Sequence, residues 1–456
     1  MTHHFSPSIL REYDIRGIVG PALGPADAHA IGRSFATRVR RAGGTRVVVG
    51  YDGRLSSPAL ETALVAGLTA SGVDVVRIGL GATPMLYFAE ATLEVDGGIQ
   101  VTGSHNPGDY NGFKMVQAHA PFAGDDIQDL ARLAAIGDWE HGAGVVTSAD
   151  VQDAYIDRLM LGYAGGAYRI GWDPGNGASG PVVEQLVQRL PGEHHLIFAD
   201  VDGNFPNHHP DPSVEANLAD LKRLVADKNL HFGIAFDGDG DRIGAVDARG
   251  RVLWGDQILS ILVEPQLRET PGATIVADVK SSQALFDRIR SLGGTPSMAA
   301  TGHSLMKRRM VDTTAPLGGE LSGHIFFAGD YYGFDDAHYA AIRLIRAIHL
   351  SGRTLTELFD AMPPFVNTPD LRFTVDEDRK FAVVDEVLAR LEAEGATVDT
   401  TDGARVTTAD GWWLLRASNT QAMLTARAEA RDQAALDALL AQIDAQLGQS
   451  GVVRTD

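Results

Sequence analysis

The chain has 456 residues, 44% of them hydrophobic and 21% charged, with no cysteine and a formal net charge of −20. That length predicts roughly three or four domains with clefts between them, and the composition excludes a largely disordered chain. The lack of cysteine removes disulfides, thiolate metal sites and a cysteine nucleophile; the acidic balance argues against nucleic acid; and with no signal-like start or membrane-length apolar run, a cytoplasmic protein without a membrane partner is expected.

In chain order, the β-branched run 47–49 predicts a buried strand, followed by a helix over 61–70 and a second strand over 73–78. A further strand over 98–101 runs directly into Thr102-Gly103-Ser104-His105-Asn106-Pro107. There a hydroxyl and an imidazole stand side by side, Gly103 permits close backbone approach and Pro107 fixes the chain direction. Taken alone, Ser104 reads better as a helix or turn cap, and it lacks the Gly-x-Ser-x-Gly elbow of hydrolases. Asn111-Gly112-Phe113-Lys114 brings a cation to the same neighbourhood.

A second α/β unit has a helix around Tyr155, a strand over 168–172, a helix over 181–190 and a strand over 231–236 that ends in Asp237-Gly238-Asp239-Gly240-Asp241-Arg242. Three carboxylates at alternate positions repel one another unless a cation neutralises them. Oxygen-only ligands favour a hard ion, magnesium before calcium. An EF-hand fails at two positions, Arg242 for glycine and Ala248 for glutamate. The competing reading is an acidic surface turn. Arg242 would hold a phosphate close to the ion.

The third unit has a strand over 273–277, a helix over 283–292, and Gly319-Glu320-Leu321-Ser322-Gly323-His324 before a strand over 325–327. Alternation along an extended segment would turn Glu320, Ser322 and His324 to one side, where they grip adjacent sugar hydroxyls. Ordinary surface or core-edge residues are the commoner reading for such groups. Helical residues 337–350 and the linker Pro363-Pro364 follow.

The last region changes pattern: a strand over 371–375, an amphipathic helix over 379–394, strand-like residues around 412–415 and a terminal helix over 433–447. This predicts an α+β domain of about 90 residues. Its loop carries Arg416, Ser418, Asn419 and Thr420, a bidentate cation with two hydroxyls and an amide, which suits a phosphate dianion. A solvated loop with one fortuitous arginine is the alternative. No Walker-type pattern supports a nucleoside triphosphate.

Taken together, Tyr13-Asp14-Ile15-Arg16-Gly17, Tyr51-Asp52-Gly53-Arg54, the Ser104 loop, the aspartate loop, Gly319 to His324 and Arg416 to Thr420 resemble the α-D-phosphohexomutase superfamily, bacterial phosphomannomutase/phosphoglucomutase above all. The resemblance spans essentially the whole chain. It implies an α/β fold: three similar α/β domains with mixed sheets around a central cleft, plus a C-terminal α+β domain. The expected domains are 1–150 with the phosphoserine loop, 151–251 with the metal loop, 252–364 with the sugar loop and 365–456 with the phosphate loop.

The resemblance further implies a phosphorylated Ser104, with Asp237, Asp239 and Asp241 binding Mg²⁺ together with a phosphoserine oxygen. Glu320, Ser322 and His324 would grip the sugar, and Tyr13, Arg242, Lys280 and His303 would approach the substrate. The phosphohexose, mannose or glucose, would rest its phosphate on Arg416, Ser418, Asn419 and Thr420 while its free hydroxyl attacks phosphoserine 104. The resulting hexose 1,6-bisphosphate, intermediate and activator, would reorient and return a phosphoryl group to the enzyme. His324, Lys114 and His105 stand unranked as general base. Arg16 would orient that network or simply pair with Asp14. A monomer or weak homo-oligomer is expected.

Two departures from the family pattern bear on details. Gln421-Ala422 replaces an acidic residue and proline after the phosphate loop, and Leu321 stands where glucosamine-specific relatives commonly have glutamine. Rival readings are a phosphoglucosamine mutase, a metal phosphatase with Ser104 as nucleophile, and a non-catalytic phosphosugar-binding protein.

Overall fold

The computed structural model describes residues 2–418 and 422–454. Its strands form four sheets. The first contains β1 (Ile15–Ile18), β2 (Arg46–Tyr51), β3 (Asp74–Leu80), β4 (Gly97–Val101), β5 (Tyr110–Gln117), β6 (Ala120–Pro121) and β7 (Val146–Ser148) in the order β1-β5-β4-β2-β3-β7, with β6 beside β5. The second contains β8 (Tyr168–Asp173), β9 (Gly192–Leu196), β10 (Phe232–Phe236), β11 (Ile243–Asp247) and β12 (Val252–Leu253) in the order β12-β11-β10-β8-β9. The third, β13 (Thr274–Asp278), β14 (Thr295–Ala299), β15 (Leu317–Gly319) and β16 (Ile325–Phe327), runs β14-β13-β15-β16.

One arrangement recurs in all three. A strand parallel to its neighbour ends in a polar loop, and the chain returns antiparallel alongside it: β4 into β5, β10 into β11, β15 into β16. Each of the three glycine-rich motifs occupies that loop, at the end of a strand buried along its length. Continuous apolar strands such as Phe232–Phe236 are what a sheet covered on both faces requires.

The fourth sheet, order β17-β22-β21-β20-β19 with β18 also on β22, is built from β17 (Val366–Asn367), β18 (Leu371–Thr374), β19 (Thr397–Asp399), β20 (Ala404–Thr407), β21 (Gly411–Ala417) and β22 (Met423–Ala430), and every pairing in it is antiparallel. The helices Lys380–Ala393 and Gln433–Gln449 share its apolar core with Trp413, Leu415 and Leu424. The second and third sheets share one continuous core, joined by the helix Ala337–Ser351. The fourth meets the third through the small cluster Val279, Trp412 and Leu414.

The strands and helices read from hydrophobic pattern occur where expected, with ends shifted by at most four residues. The helix Pro25–Arg41 and strands β1 and β5 were not anticipated, although Ala28, Ile31, Phe35 and Val39 bury one helical face. One expectation is corrected: residues 320–324 are not extended. Gly319 pairs with Ile325, so the intervening residues reverse direction in a turn, closed by the Gly323 N–H donating to the Glu320 carbonyl at 3.0 Å.

Candidate active site

The Ser104 loop is built from inside by two buried residues. Asp52 accepts from the Arg54 N–H (3.0 Å), Ser57 Oγ (2.6 Å), Thr102 Oγ1 (2.8 Å) and the Gly103 N–H (3.2 Å). Arg54, 1% exposed, lies 3.2 Å from Asp52 and donates to four loop carbonyls: Pro107 (2.5 Å), Tyr110 (2.9 Å), Ser104 (2.7 Å) and Asn106 (2.6 Å). A Cβ on Gly103 would lie 2.5 Å from that guanidinium, which is why the position needs glycine. Ser104 has φ of 49°, a left-handed conformation uncommon for a residue with a Cβ and typical of functional sites. It is not a helix cap. Its Oγ donates to Asp237 Oδ2 at 2.9 Å.

The aspartate loop touches the serine loop directly: a Cβ on Gly238 would sit 2.5 Å from the Ser104 carbonyl oxygen. Asp237, Asp239 and Asp241 are fully buried and present ligand oxygens within 4.8 Å of one another. Lys114 on β5 reaches them, with Nζ 2.7 Å from Asp239 Oδ2 and also paired with Asp241, while Thr83 Oγ1 donates to Asp239 at 2.5 Å. Burial and the neighbouring carboxylates push the pKa of Asp237 and of Asp241 up; for Asp239 burial acts the same way, but Lys114 overrides it and holds the group ionised. Asp239 Oδ1 and Asp241 Oδ1 are buried and accept no hydrogen bond. Crowded carboxylates with unpartnered oxygens fit a divalent cation with oxygen ligands.

Arg242 and His324 join the second and third domains: Arg242 Nε donates to His324 Nε2 at 2.9 Å, and their backbones form a β-bridge. With Nε2 accepting, the ring proton belongs on Nδ1, which lies 3.0 Å from Asp335 Oδ2. Asp335, fully buried, also faces His303 (3.7 Å) and Lys307 (2.6 Å). Burial lowers the His303 pKa well below its ordinary value. His105 lies 3.0 Å from Asp211, and burial, then Arg242, pushes it down to about 3. Arg16 pairs with Asp14 and donates to Asn106 of the serine loop at 2.6 Å.

The sugar-loop residues diverge rather than line up. Glu320 Oε1 accepts from the Gly302 N–H (2.6 Å) and Oε2 from Ser322 Oγ (3.0 Å), while His324 turns toward Arg242 and Asp335. Tyr13 OH donates to the Thr301 carbonyl at 2.7 Å, tying the first domain to the third. Lys280 Nζ lies 2.9 Å from Asp370 of the fourth domain. Arg416 Nε donates to Asp402 (2.7 Å), and the same Asp402 oxygen accepts the Thr301 N–H (3.0 Å) across the domain boundary. The Ser418 N–H donates to the Met423 carbonyl at 2.9 Å. Asn419 and Thr420 lie outside the described residues.

Pattern reading missed Asp335, Lys307, Asp211, Asp370 and Asp402. One signal was available: two consecutive aspartates precede the helix Ala337–Ser351, Asp336 caps it through the Tyr339 N–H, and Asp335 is left over.

Four family models match in order: phosphoglucomutase/phosphomannomutase alpha/beta/alpha domain I over residues 7–137, domain II over 153–250, domain III over 254–365 and the C-terminal domain over 371–446. The chain belongs to the phosphoglucomutase/phosphomannomutase family. It is 40% identical over 431 residues to a phosphomannomutase/phosphoglucomutase of Pseudomonas aeruginosa, covering 94% of this chain and 93% of the relative. A phosphoglucomutase of Neisseria gonorrhoeae is 41% identical over 435 residues, 94% of each. The crystal structure of a family protein from Burkholderia thailandensis superposes with a TM-score of 0.93 at 41% identity, over 98% of both chains. As a phosphohexomutase this chain is an isomerase, an intramolecular phosphotransferase that interconverts hexose 1-phosphate and hexose 6-phosphate. The family is metal-dependent, and the buried aspartate cluster is a group able to hold the ion. Among the described residues no helix is long and apolar enough to cross a membrane.

Proposed function

We propose that Ser104 is the phosphoryl carrier of a phosphomannomutase/phosphoglucomutase that works with Mg²⁺ on mannose and glucose phosphates. The observation that carries this reading is the buried contact of Ser104 Oγ with Asp237, inside a carboxylate cluster with unpartnered oxygens. Asp237, Asp239 and Asp241, with an oxygen of the phosphorylated serine, would hold the ion, which when bound neutralises charge on the transferred group. Lys114 and Arg242 add fixed positive charge at the same place.

The substrate's own phosphate would rest on Arg416, Ser418, Asn419 and Thr420, with Lys280, Tyr13, His303, Glu320, Ser322 and His324 around the sugar. The free hydroxyl attacks phosphoserine 104, its oxygen–phosphorus bond forming as the serine's breaks, and the proton goes to a base. His105 is kept neutral and hydrogen-bonded to Asp211; His324 accepts from Arg242 at Nε2; Lys114 is held charged by two aspartates. A charged lysine must first lose its proton, a histidine pushed down to about 3 is a weak base, and His324 Nε2 is already engaged by Arg242, so the geometry ranks none of the three. The hexose 1,6-bisphosphate then reorients and donates its other phosphoryl group to Ser104. Its retention calls for a fourth domain that moves. The cysteine-free composition supports a reducing, cytoplasmic setting.

Turnover on mannose, glucose and glucosamine 1-phosphates tests the assignment. Dominant glucosamine activity overturns the sugar assignment, and release of inorganic phosphate without isomerised sugar overturns the mutase mechanism. Chelation should abolish turnover and Mg²⁺ restore it. The ion should also raise the melting temperature, by the equivalent of about 2.7 kcal/mol at 100 times its dissociation constant.

Asp402 fixes the Nε side of Arg416 and leaves its other nitrogens for an anion. Asp402→Ala should therefore raise KM for the phosphosugar by about 10-fold or more, with a smaller change in kcat, because a charge-assisted bond of about 1.5–3 kcal/mol is lost. Steady-state kinetics on both parameters checks this.

A further inference from the structure

Among the described residues, one group of metal-type donors shares no member with the aspartate cluster. His209 and Asp211 flank Pro210 on a loop of the second domain, and His105 faces them from the serine loop of the first. The three residues offer two imidazole nitrogens and a carboxylate oxygen within 4.8 Å of one another. The loop is pinned: His208 Nε2 lies 3.0 Å from buried Asp173, Asn207 donates to Asn176 at 2.8 Å, and Asp211 Oδ1 accepts from the Ser213 N–H (3.0 Å) and Oγ (2.6 Å). Asp211 Oδ2 is turned to His105 Nδ1 at 3.0 Å. Asp211 is buried and both histidines are half-buried, so the donors are anchored yet reachable from solvent. The His209 imidazole makes no hydrogen bond to another described residue.

We propose that His105, His209 and Asp211 form a second cation site, selective for a borderline transition ion such as Zn²⁺, whose occupancy inhibits the mutase. Two imidazoles and one carboxylate are a zinc donor set, with a fourth position left for water. Tetrahedral ligands at about 2.0–2.1 Å from the ion stand about 3.3 Å apart, a gap that rotation of the free His209 side chain closes. Mg²⁺ is a poor occupant, because it prefers oxygen and octahedral geometry. Ligation would occupy the His105 imidazole, a candidate base next to Ser104 in the chain, and clamp the serine loop to the second domain. The inhibition rests on the reading of Ser104 above; the binding does not.

The test uses the full-length protein in saturating Mg²⁺, titrated with Zn²⁺ by calorimetry and with Co²⁺ by visible absorption, beside mutase assays. One further ion should bind, Co²⁺ should show the intense absorption of a tetrahedral site, and turnover should fall. His209→Ala should keep its zinc-free turnover, lose the tetrahedral cobalt spectrum, and need at least about 10-fold more zinc for half-inhibition, as loss of a ligand should exceed the cost of losing a supporting partner. Should that variant fold poorly, His209→Gln carries the same comparison. Equal zinc sensitivity of wild type and variant overturns the proposal, as does inhibition that vanishes with rising Mg²⁺, which would place zinc on the aspartate cluster. If the chain had no mutase activity, the cobalt spectrum and its loss in the variant would still decide the site.

Discussion

Ser104→Ala is expected to lower mutase turnover by at least about 10⁴-fold, since removing the group that carries the phosphoryl leaves positioning and charge to act without a covalent path. The fold should survive. Ser104 Oγ makes one hydrogen bond, to Asp237, whereas the loop is held through its backbone by Asp52 and Arg54. Alanine inherits the left-handed backbone with the same Cβ, so it adds no new clash. Intact-protein mass after incubation with hexose 1,6-bisphosphate should show one added phosphoryl group on wild type and none on the variant. Unchanged turnover, or phosphate still on the variant, would remove Ser104 from the mechanism.

Arg54→Met should cost about 3–5 kcal/mol or more of stability and should slow phosphorylation of Ser104 in whatever protein still folds. The side chain is fully buried against Asp52, and deleting one member of such a pair leaves an uncompensated buried charge. Four carbonyls of the serine loop lose their donor at the same time, each a further cost when buried. Arg54→Lys should recover only part, because an ammonium lacks the planar fork that reaches all four. Urea unfolding of the three proteins measures the stability loss, and mass spectrometry the phosphorylation rate. A variant as stable as wild type would show that the arginine only accompanies the loop.

The Ser104 motif and the aspartate run were legible because their chemistry is local. Alternating carboxylates after an apolar strand repel wherever the chain goes, and their burial in the structure heightens the need for a neutralising cation. The strands Phe232–Phe236 and Thr274–Asp278 were equally plain, since short apolar runs bounded by polar residues have few other uses. The turn at 320–324 was misread because alternation of polar residues describes an extended segment as well as a hairpin. Only the pairing of β15 with both β13 and β16 decides between them.

The residues that escaped the sequence share a cause. Asp335 acts on His303 and His324, and Asp402 on Thr301 about a hundred positions back; even Arg54, whose motif was visible, acts on carbonyls about fifty positions away. Single charged residues of this kind carry no pattern, and their meaning depends on which loops the sheets bring together. By itself the sequence determined a family, three α/β units and the loops that carry their chemistry, because local repulsion, apolar periodicity and glycine placement are written along the chain. Only the tertiary structure decided that Ser104 lies against Asp237, that Lys114 sits between Asp239 and Asp241, and that Asp335 and Asp402 hold the groups around them, because burial of three similar sheets, not proximity in sequence, closes those distances.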